Sequence, residues 1–248
     1  MILLRALQTT FGYLLILAAM VPFALVIGLS GESDLSERVL RAWCRLILLC
    51  TGARALRIGH ADLDPHKSYV FVSNHTSNLD VAAILAVTPT PLRFIAKREL
   101  SFIPFFGWAA RRMGHVFIDR KDKSAATRAI RARIEHGFDT GVALFFFAEG
   151  TRSTTDELLP FKKGAAIAAI QTGLDVVPIA VAGAREVVPP KGLSLFRPGP
   201  VVVAFGEPIP VAGHVLDRRD DLVALQRRGV EEALATAKDR LSRERDLP

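Results

Sequence analysis

The chain has 248 residues, half of them apolar, and 32 Lys and Arg residues against 25 Asp and Glu residues give a formal charge of +7. This length corresponds to one large domain with an appendage, and the apolar content excludes disordered, fibrous and disulfide-stapled proteins. Its two cysteines, Cys44 and Cys50, cannot form a disulfide framework or the usual four-ligand zinc site, so we expect no metal.

The first segment lacks charge altogether, with no charged side chain from Ala6 to Gly31. Within it, Phe11–Leu29 would be roughly 28 Å long as a helix, just enough to cross a bilayer. Pro22 is expected to kink or break that helix. A re-entrant or in-plane hairpin in the membrane is therefore an alternative to a helix that spans it. A secretory signal peptide is an alternative, but a clean small-residue cleavage site is missing. A helix buried in a soluble core is another. The segment predicts membrane attachment.

A second segment, Arg38–Thr51, sets arginines at helical spacing beside an apolar run, which predicts an interfacial helix with a basic edge. We therefore interpret residues 1–54 as membrane-associating helices (the head) and residues 55–248 as a separate α/β domain (the body). If the head crosses the membrane, arginines on its C-terminal side place the body in the cytoplasm, at the inner membrane in a bacterium. These arginines are Arg38, Arg41, Arg45 and Arg54.

The body alternates short β-rich runs with helical stretches. The candidate strands are Leu56–Gly59, Tyr69–Ser73, Arg93–Ala96, Val116–Ile118, Val142–Phe147, Val176–Val181 and Val201–Phe205. The candidate helices are Leu79–Val87, Ser124–His136, Gly164–Thr172 and a charged amphipathic tail, Asp217–Arg245. Near-continuous apolar strands that alternate with helices predict an α/β fold, a layered sheet flanked by helices and buried on both faces.

The first polar motif of the body is a turn that follows a buried strand and contains His75, with Asp80 five residues later. Five residues on one continuous helix would not share a face, but a helix beginning near Ser77 or Asn78 could return the carboxylate to the imidazole. Ligand sites of α/β sheets lie at the carboxyl ends of strands, which favours this position. The alternative is a histidine that only caps the turn.

Residues 94–120 mix basic and aromatic side chains, including Lys97 and Arg120. The run Pro104–Trp108 is too apolar for a solvated loop and suits a hydrocarbon groove or a membrane interface. Basic residues with aromatics also suit single-stranded nucleic acid, but no nucleic-acid module is recognisable and the apolar head favours lipid. Packing of these aromatics in the core is the other alternative.

A buried strand then delivers Glu149-Gly150-Thr151-Arg152 to the sheet edge. Glycine allows close backbone approach, threonine donates a hydroxyl and arginine offers a fork for phosphate. Farther on, Lys162 and Lys163 precede the helix that begins at Gly164, whose N-terminus would attract an anion. A solvated strand-end turn would look similar. The sequence motifs of serine-elbow hydrolases, P-loop ATPases, Rossmann dehydrogenases and zincins are absent.

Together these segments resemble the glycerolipid acyltransferase family, and within it the enzymes that acylate 1-acyl-glycerol-3-phosphate (lysophosphatidate). The chain departs from the family at Ala148, where proline usually precedes the Glu-Gly-Thr-Arg run. Four blocks in order carry the resemblance, and they are residues 74–80, 114–120, 147–153 and 177–180.

The resemblance implies a glycerol-3-phosphate acyltransferase-like fold and transfer of a fatty acyl group from acyl-CoA or acyl-carrier protein to the acceptor's free hydroxyl. It implies membrane lipid as a partner, no cofactor beyond that co-substrate and no nucleic acid. It makes His75 the general base and Asp80 the residue that orients it. The implied acceptor-binding residues are Lys97, Arg120, Glu149, Gly150, Thr151 and Arg152. Because a carboxylate near a phosphate is unfavourable, we expect Glu149 to orient Arg152 or a glycerol hydroxyl.

Two alternatives remain beside this interpretation. The same chemistry could act on another acceptor, such as a lyso-ornithine lipid or a different lysophospholipid. A non-catalytic lipid-binding protein is the more distant alternative, and it would have been expected to lose His75 or Asp80.

Overall fold

A computed structural model describes residues 2–59, 63–64, 66–88, 90–119, 121–135, 141–155, 157–190 and 195–246. The helices are α1 (Ile2–Ser30), α2 (Asp34–Thr51), α3 (Leu79–Val87), α4 (Phe106–Arg112), α5 (Lys123–Glu135), α6 (Gly164–Thr172), α7 (Ala184–Val187) and α8 (Arg219–Arg245), with 3₁₀ turns at Arg98–Phe102 and Leu216–Arg218. The strands are β1 (Ala53–Gly59), β2 (Val70–Ser73), β3 (Leu92–Lys97), β4 (Val116–Ile118), β5 (Ala143–Phe147), β6 (Val176–Ala182) and β7 (Gly199–Phe205).

The seven strands form one sheet in the order β1-β7-β6-β2-β5-β3-β4. Neighbouring strands are parallel except at the β6–β7 pair, which is antiparallel. The predicted α/β sheet flanked by helices is therefore confirmed. Because β2 to β6 run in the same direction, their carboxyl ends share one edge, where ligand sites of such sheets lie.

Both faces of the sheet are buried, because side chains alternate along each strand. Phe71 and Phe145 lie in a core formed with α1, α2, α3 and α4. Val70 and Leu144, their neighbours along the chain, lie in a second core formed with α5, α6 and α8. The sheet is thus a layer between two sets of helices, as its near-continuous apolar strands predict.

Helix α2 contributes to the same core as the body. Ser33 caps its N-terminus by accepting a hydrogen bond from Ser36 N, and its C-terminus ends at left-handed Gly52. One face is buried, and burial raises the pKa of the Cys44 thiol on that face to about 12. The chain passes directly from α2 into β1 at Ala53, so the predicted boundary at residue 54 lies inside this strand.

Ion pairs also join the head to the body, and the pair between Arg93 and Glu37 is buried. Arg93 of β3 is 2% exposed and donates from Nη1 to Glu37 of α2 at 2.6 Å. Glu32, between α1 and α2, accepts from Arg93 Nε at 3.3 Å and from Arg133 of α5 at 2.7 Å. Removal of one partner would leave a buried charge without compensation, which is strongly destabilising.

Helix α1 continues through Pro22, so the expected break or kinked hairpin was wrong. Pro22 is exposed on the outer face of the helix. Proline has no N–H to donate to the carbonyl four residues earlier in the helix. Because Pro22 is on the outer face, that carbonyl faces away from the body. The inner face contacts the body near its middle and near its C-terminal end. The rings of Tyr13 and Phe196 pack with centroids 4.5 Å apart and planes tilted by 51°, and Arg112 Nε donates to Gly28 O at 3.0 Å.

Candidate active site

The site begins where the adjacent parallel strands β2 and β5 end. Ser73 and Phe147 are partners in the register of the two strands, so the turns that follow them start side by side. Ala148 N donates to Ser73 O at 2.9 Å, and Ser153 N donates to His75 O at 2.8 Å. The turn that holds His75 is thus tied to the loop of residues 148–153 by backbone hydrogen bonds.

The turn that follows His75 is organised by one buried carboxylate. Asp80, in the first turn of α3, accepts at Oδ2 from Thr76 N at 2.7 Å and from Ser77 N at 2.8 Å. Ser77 Oγ accepts from Leu79 N and donates to Val188 O at 2.6 Å, which ties the start of α3 to the segment after α7. Since the helix begins after the turn, Asp80 lies beside the imidazole although five residues separate it from His75.

The imidazole of His75 is held on two sides. Its Nδ1 lies 2.8 Å from Asp80 Oδ2, and its ring stacks on Phe147 with centroids 3.8 Å apart and planes 15° from parallel. The His75 side chain is 14% exposed, whereas that of Asp80 is fully buried. Because an ionised carboxylate only accepts, we assign the proton of neutral His75 to Nδ1, which leaves the Nε2 lone pair available as a base.

Glu149 supports the backbone of His75. It is 2% exposed, and it accepts at Oε1 from His75 N at 2.9 Å and at Oε2 from Leu159 N at 2.9 Å. Burial raises the pKa of Glu149 above its ordinary value, and the two amides oppose that shift. Within the described residues, Arg152 is not a partner of this carboxylate, so the geometry differs from the expected Glu149–Arg152 pairing.

A buried amide fixes the same turn from the other neighbouring strand. Asn74 is 1% exposed; its Nδ2 donates to Val181 O at 3.0 Å and its Oδ1 accepts from Val181 N at 2.8 Å. The side chain thereby continues the pairing of β2 with β6 beyond the last residue of β2. Both neighbouring strands therefore fix the backbone that carries His75.

The predicted acceptor-binding cations differ in what they contact. Arg152 is half-buried, and within the described residues its guanidinium has no hydrogen-bond or ion-pair partner. Lys97 ends β3 and pairs with Glu99 at 2.9 Å on the surface. Thr151 is exposed beside left-handed Gly150. Arg120 lies outside the described residues, although the strand before it, β4, ends at the same edge.

The second histidine of the four blocks, His115, has a structural role. Its Nδ1 accepts from Phe94 N at 3.1 Å, and its ring packs edge-on against Phe94. Burial, reinforced by Arg93 and Arg133, lowers the pKa of His115 to about 3. This imidazole is therefore neutral and engaged in the core, which leaves His75 as the histidine of the four blocks that can act as a base.

An apolar surface lies between this site and α1. Phe102 and Phe105 are 68% and 45% exposed, and Phe105 has a positive φ of 61° at the start of α4. Trp108 packs against α1 so closely that a β-carbon on Gly28 would lie 2.1 Å from its ring. Core packing, the alternative for these aromatics, therefore does not describe Phe102 or Phe105, which face solvent.

Sequence reasoning missed the supporting residues of this site. Nothing in the spacing indicated that Phe147 stacks on His75, or that Asn74 pairs with β6. A polar residue directly after an apolar strand was the signal available for Asn74.

A metal site was also sought. The part of the chain that the structure describes holds no group of three His, Cys, Asp or Glu side chains able to bind a metal ion.

Comparisons with known proteins agree with this fold. The family model described as Acyltransferase matches residues 56–182. A 1-acyl-sn-glycerol-3-phosphate acyltransferase of Salmonella typhimurium is 31% identical over 71% of this chain and 70% of its own length. One from Saccharomyces cerevisiae is 33% identical over 73% of this chain, which spans 60% of that relative. The crystal structure of the 1-acyl-sn-glycerophosphate acyltransferase from Thermotoga maritima has a TM-score of 0.76 at 25% identity and covers 93% of this chain and 96% of its own.

The fold and the site first define a class of protein, an α/β enzyme with a His–Asp pair at the carboxyl edge of its sheet and, within the described residues, an arginine without a partner on the adjoining loop. The family match includes the strands and turns that build this edge, from β1 to the end of β6. The chain belongs to the acyltransferase family.

Proposed function

We propose that this protein transfers a fatty acyl group from acyl-CoA or acyl-carrier protein to the free hydroxyl of 1-acyl-glycerol-3-phosphate, forming phosphatidate for phospholipid biosynthesis. The observation that carries the proposal is the His75–Asp80 pair on a turn hydrogen-bonded to the loop of Arg152, whose guanidinium has no partner within the described residues. The pair supplies a base, and the arginine supplies a site for the acceptor's phosphate. The names of the Salmonella and yeast relatives support the same acceptor.

In the proposed reaction, His75 Nε2 takes the proton of the acceptor hydroxyl while the hydroxyl oxygen attacks the carbonyl carbon of the thioester. The carbon–sulfur bond then breaks, an ester remains, and the imidazolium returns its proton to the leaving thiolate. Asp80 stabilises the imidazolium and fixes the ring. Because the acceptor oxygen attacks the thioester directly, the proposed reaction needs no covalent acyl-enzyme.

The acceptor is tested by incubating purified protein with radiolabelled acyl-CoA and a panel of lysolipids. We expect lysophosphatidate to be acylated with kcat/KM at least about tenfold above the value for lysolipids without a terminal phosphate monoester, because only the monoester carries close to two charges for Arg152. Preferential acylation of a lyso-ornithine lipid or another lysophospholipid would replace the acceptor in this proposal. Release of free acid alone would indicate a thioesterase, and no turnover with either acyl-CoA or acyl-carrier protein as the donor would favour a lipid-binding protein.

We also propose that α1 attaches the protein to the membrane. One helix, over Arg5–Ser30, is apolar and long enough to cross a membrane, with a mean hydropathy of 2.4. Its inner face contacts the body through Tyr13 and Gly28, and its outer face carries an exposed apolar row that suits insertion along the interface. This row is formed by Leu3, Leu7, Phe11, Leu14, Leu25 and Leu29. That the body faces the cytoplasm stays a prediction from the arginines that follow α1.

Co-sedimentation with vesicles that contain phosphatidylglycerol tests this attachment. We expect the full chain to bind and the double variant Phe11→Gln/Leu14→Gln to bind about tenfold more weakly, because two apolar side chains no longer leave water. Val215→Gln is the matched control, since Val215 is 54% exposed between β7 and α8, away from the row. Wild-type protein that stays in the supernatant, or a control as weak as the double variant, would refute the attachment by α1.

A further inference from the structure

The adjacent residues Lys162 and Lys163 differ in what they contact, although nothing in the sequence distinguishes them. Lys163 Nζ is engaged by Asp220 of α8, at 2.9 Å from Oδ2 and 2.8 Å from Oδ1. Lys162 is exposed, and within the described residues its ammonium has no hydrogen-bond or ion-pair partner. Of this pair, only Lys162 therefore has a charge that is free to meet a ligand.

The stem of Lys162 lies on the loop that follows β5. Its backbone N–H donates to Ala148 O at 2.7 Å. A β-carbon built on Gly150 would lie 3.4 Å from Lys162 Cγ and 3.8 Å from Lys162 Cε, so the aliphatic stem runs directly over this glycine. The ammonium is one bond beyond Cε and thus stands beside the same loop.

Arg152 is two residues beyond Gly150, so the Cα atoms of the two residues are at most about 7 Å apart. The chain turns at Gly150, which has a φ of +69°. The same loop is tied to the backbone of His75 through Glu149 and Ser153. Within the described residues, two cations without a hydrogen-bond or ion-pair partner, one whose stem packs on Gly150 and one two residues beyond it, are therefore associated with the loop that is tied to the candidate base.

We propose that Lys162 and Arg152 together bind the phosphate monoester of the acceptor, with Gly150 leaving room between them. The inference rests on the proposed function and adds to it the residue that selects for a doubly charged headgroup. A monoester carries close to two negative charges at neutral pH, so one cation alone leaves it under-compensated. Gly150 then has a defined task, since a side chain there would contact the Lys162 stem and would require a strained left-handed conformation.

The test compares Lys162→Met, which keeps the stem and removes the charge, with Lys163→Met in steady-state acylation of lysophosphatidate. We expect Lys162→Met to raise the acceptor KM about tenfold with kcat changed less than about twofold, because a contact made equally in ground and transition states acts on KM. Arg152→Ala should raise the same KM at least as much. Lys162→Arg should restore most of the affinity, and Lys163→Met should stay within about twofold of wild type.

A second readout is competition by glycerol 3-phosphate, which carries the same monoester without an acyl chain. We expect its inhibition constant to rise in Lys162→Met by about the same factor as the acceptor KM, and to change little in Lys163→Met. An unchanged acceptor KM in Lys162→Met, or an equal increase in Lys163→Met, would overturn this inference while wild-type turnover still supports the proposed function. Wild-type enzyme that makes no phosphatidate would overturn both.

Discussion

His75→Ala is expected to lower kcat by about 10²- to 10⁴-fold, the contribution of a positioned general base. The side chain is 14% exposed and its ring packs on Phe147 alone among the aromatic side chains of the described segments. The backbone of the turn is held separately, by Glu149 through His75 N and by Ser153 through His75 O. The loss should therefore appear in turnover and not in the thermal unfolding temperature.

The matched control is His66→Ala. His66 is exposed and precedes β2, so it lies at the amino end of the strand whose carboxyl end carries His75. Its replacement should leave kcat within about twofold of wild type, as expected for a surface substitution away from the active site and the core. If His75→Ala retains substantial activity while its unfolding curve is unchanged, the general-base mechanism is wrong, even if the acceptor is correct.

The body of the fold was predictable because its strands are short, apolar and bounded by polar turns. All seven predicted strands are present, and β2 and β4 differ from their predicted ranges by at most one residue. The order of the strands was not predictable. Strand β7 lies between β1 and β6 and pairs antiparallel with β6, an arrangement set by long-range packing that no local pattern encodes.

The elements missed by sequence reasoning are those without a periodic apolar pattern. The 3₁₀ turn Arg98–Phe102 and helix α4 lie in a run where aromatic and basic residues alternate irregularly, so it predicts neither a helical nor a strand period. Pro22 had the opposite effect, because it predicted a break in a helix that is continuous in the structure. Proline disfavours a helix interior in general, but here its exposed position lets α1 continue without a conflict with the body.

At the site, the sequence identified residues and one contact, that of Asp80 with His75, but not the contacts of Glu149. The spacing of His75 and Asp80 became informative only with α3 starting at Leu79, because this start places the carboxylate under the turn. Glu149 was expected near Arg152, whereas its oxygens accept from two backbone amides. Which donor reaches a buried carboxylate depends on how two loops pack, and that depends on the pairing of β2 with β5.

Glu149→Ala is expected to lower the free energy of unfolding by about 2–6 kcal/mol, since two backbone amides, those of His75 and Leu159, lose their acceptor at about 1–3 kcal/mol each. Glu149→Gln should cost less, because its one amide oxygen can still accept from His75 N or from Leu159 N. Its NH₂ group then faces the other N–H, so some cost remains. Chemical denaturation of both variants measures this order.

Glu157→Ala is the control, because Glu157 is exposed in the same loop and its described hydrogen bonds are made by backbone atoms. It should change the free energy of unfolding by less than about 0.5 kcal/mol.

Measurements of kcat and of the acceptor KM then distinguish two roles for Glu149. A carboxylate that holds His75 in place predicts that Glu149→Gln lowers kcat and leaves the acceptor KM near its wild-type value. A carboxylate that binds the acceptor predicts the reverse, a raised KM with kcat and stability preserved. The occupation of both oxygens by backbone amides leaves this group poorly placed to meet a substrate hydroxyl, so we expect the first result.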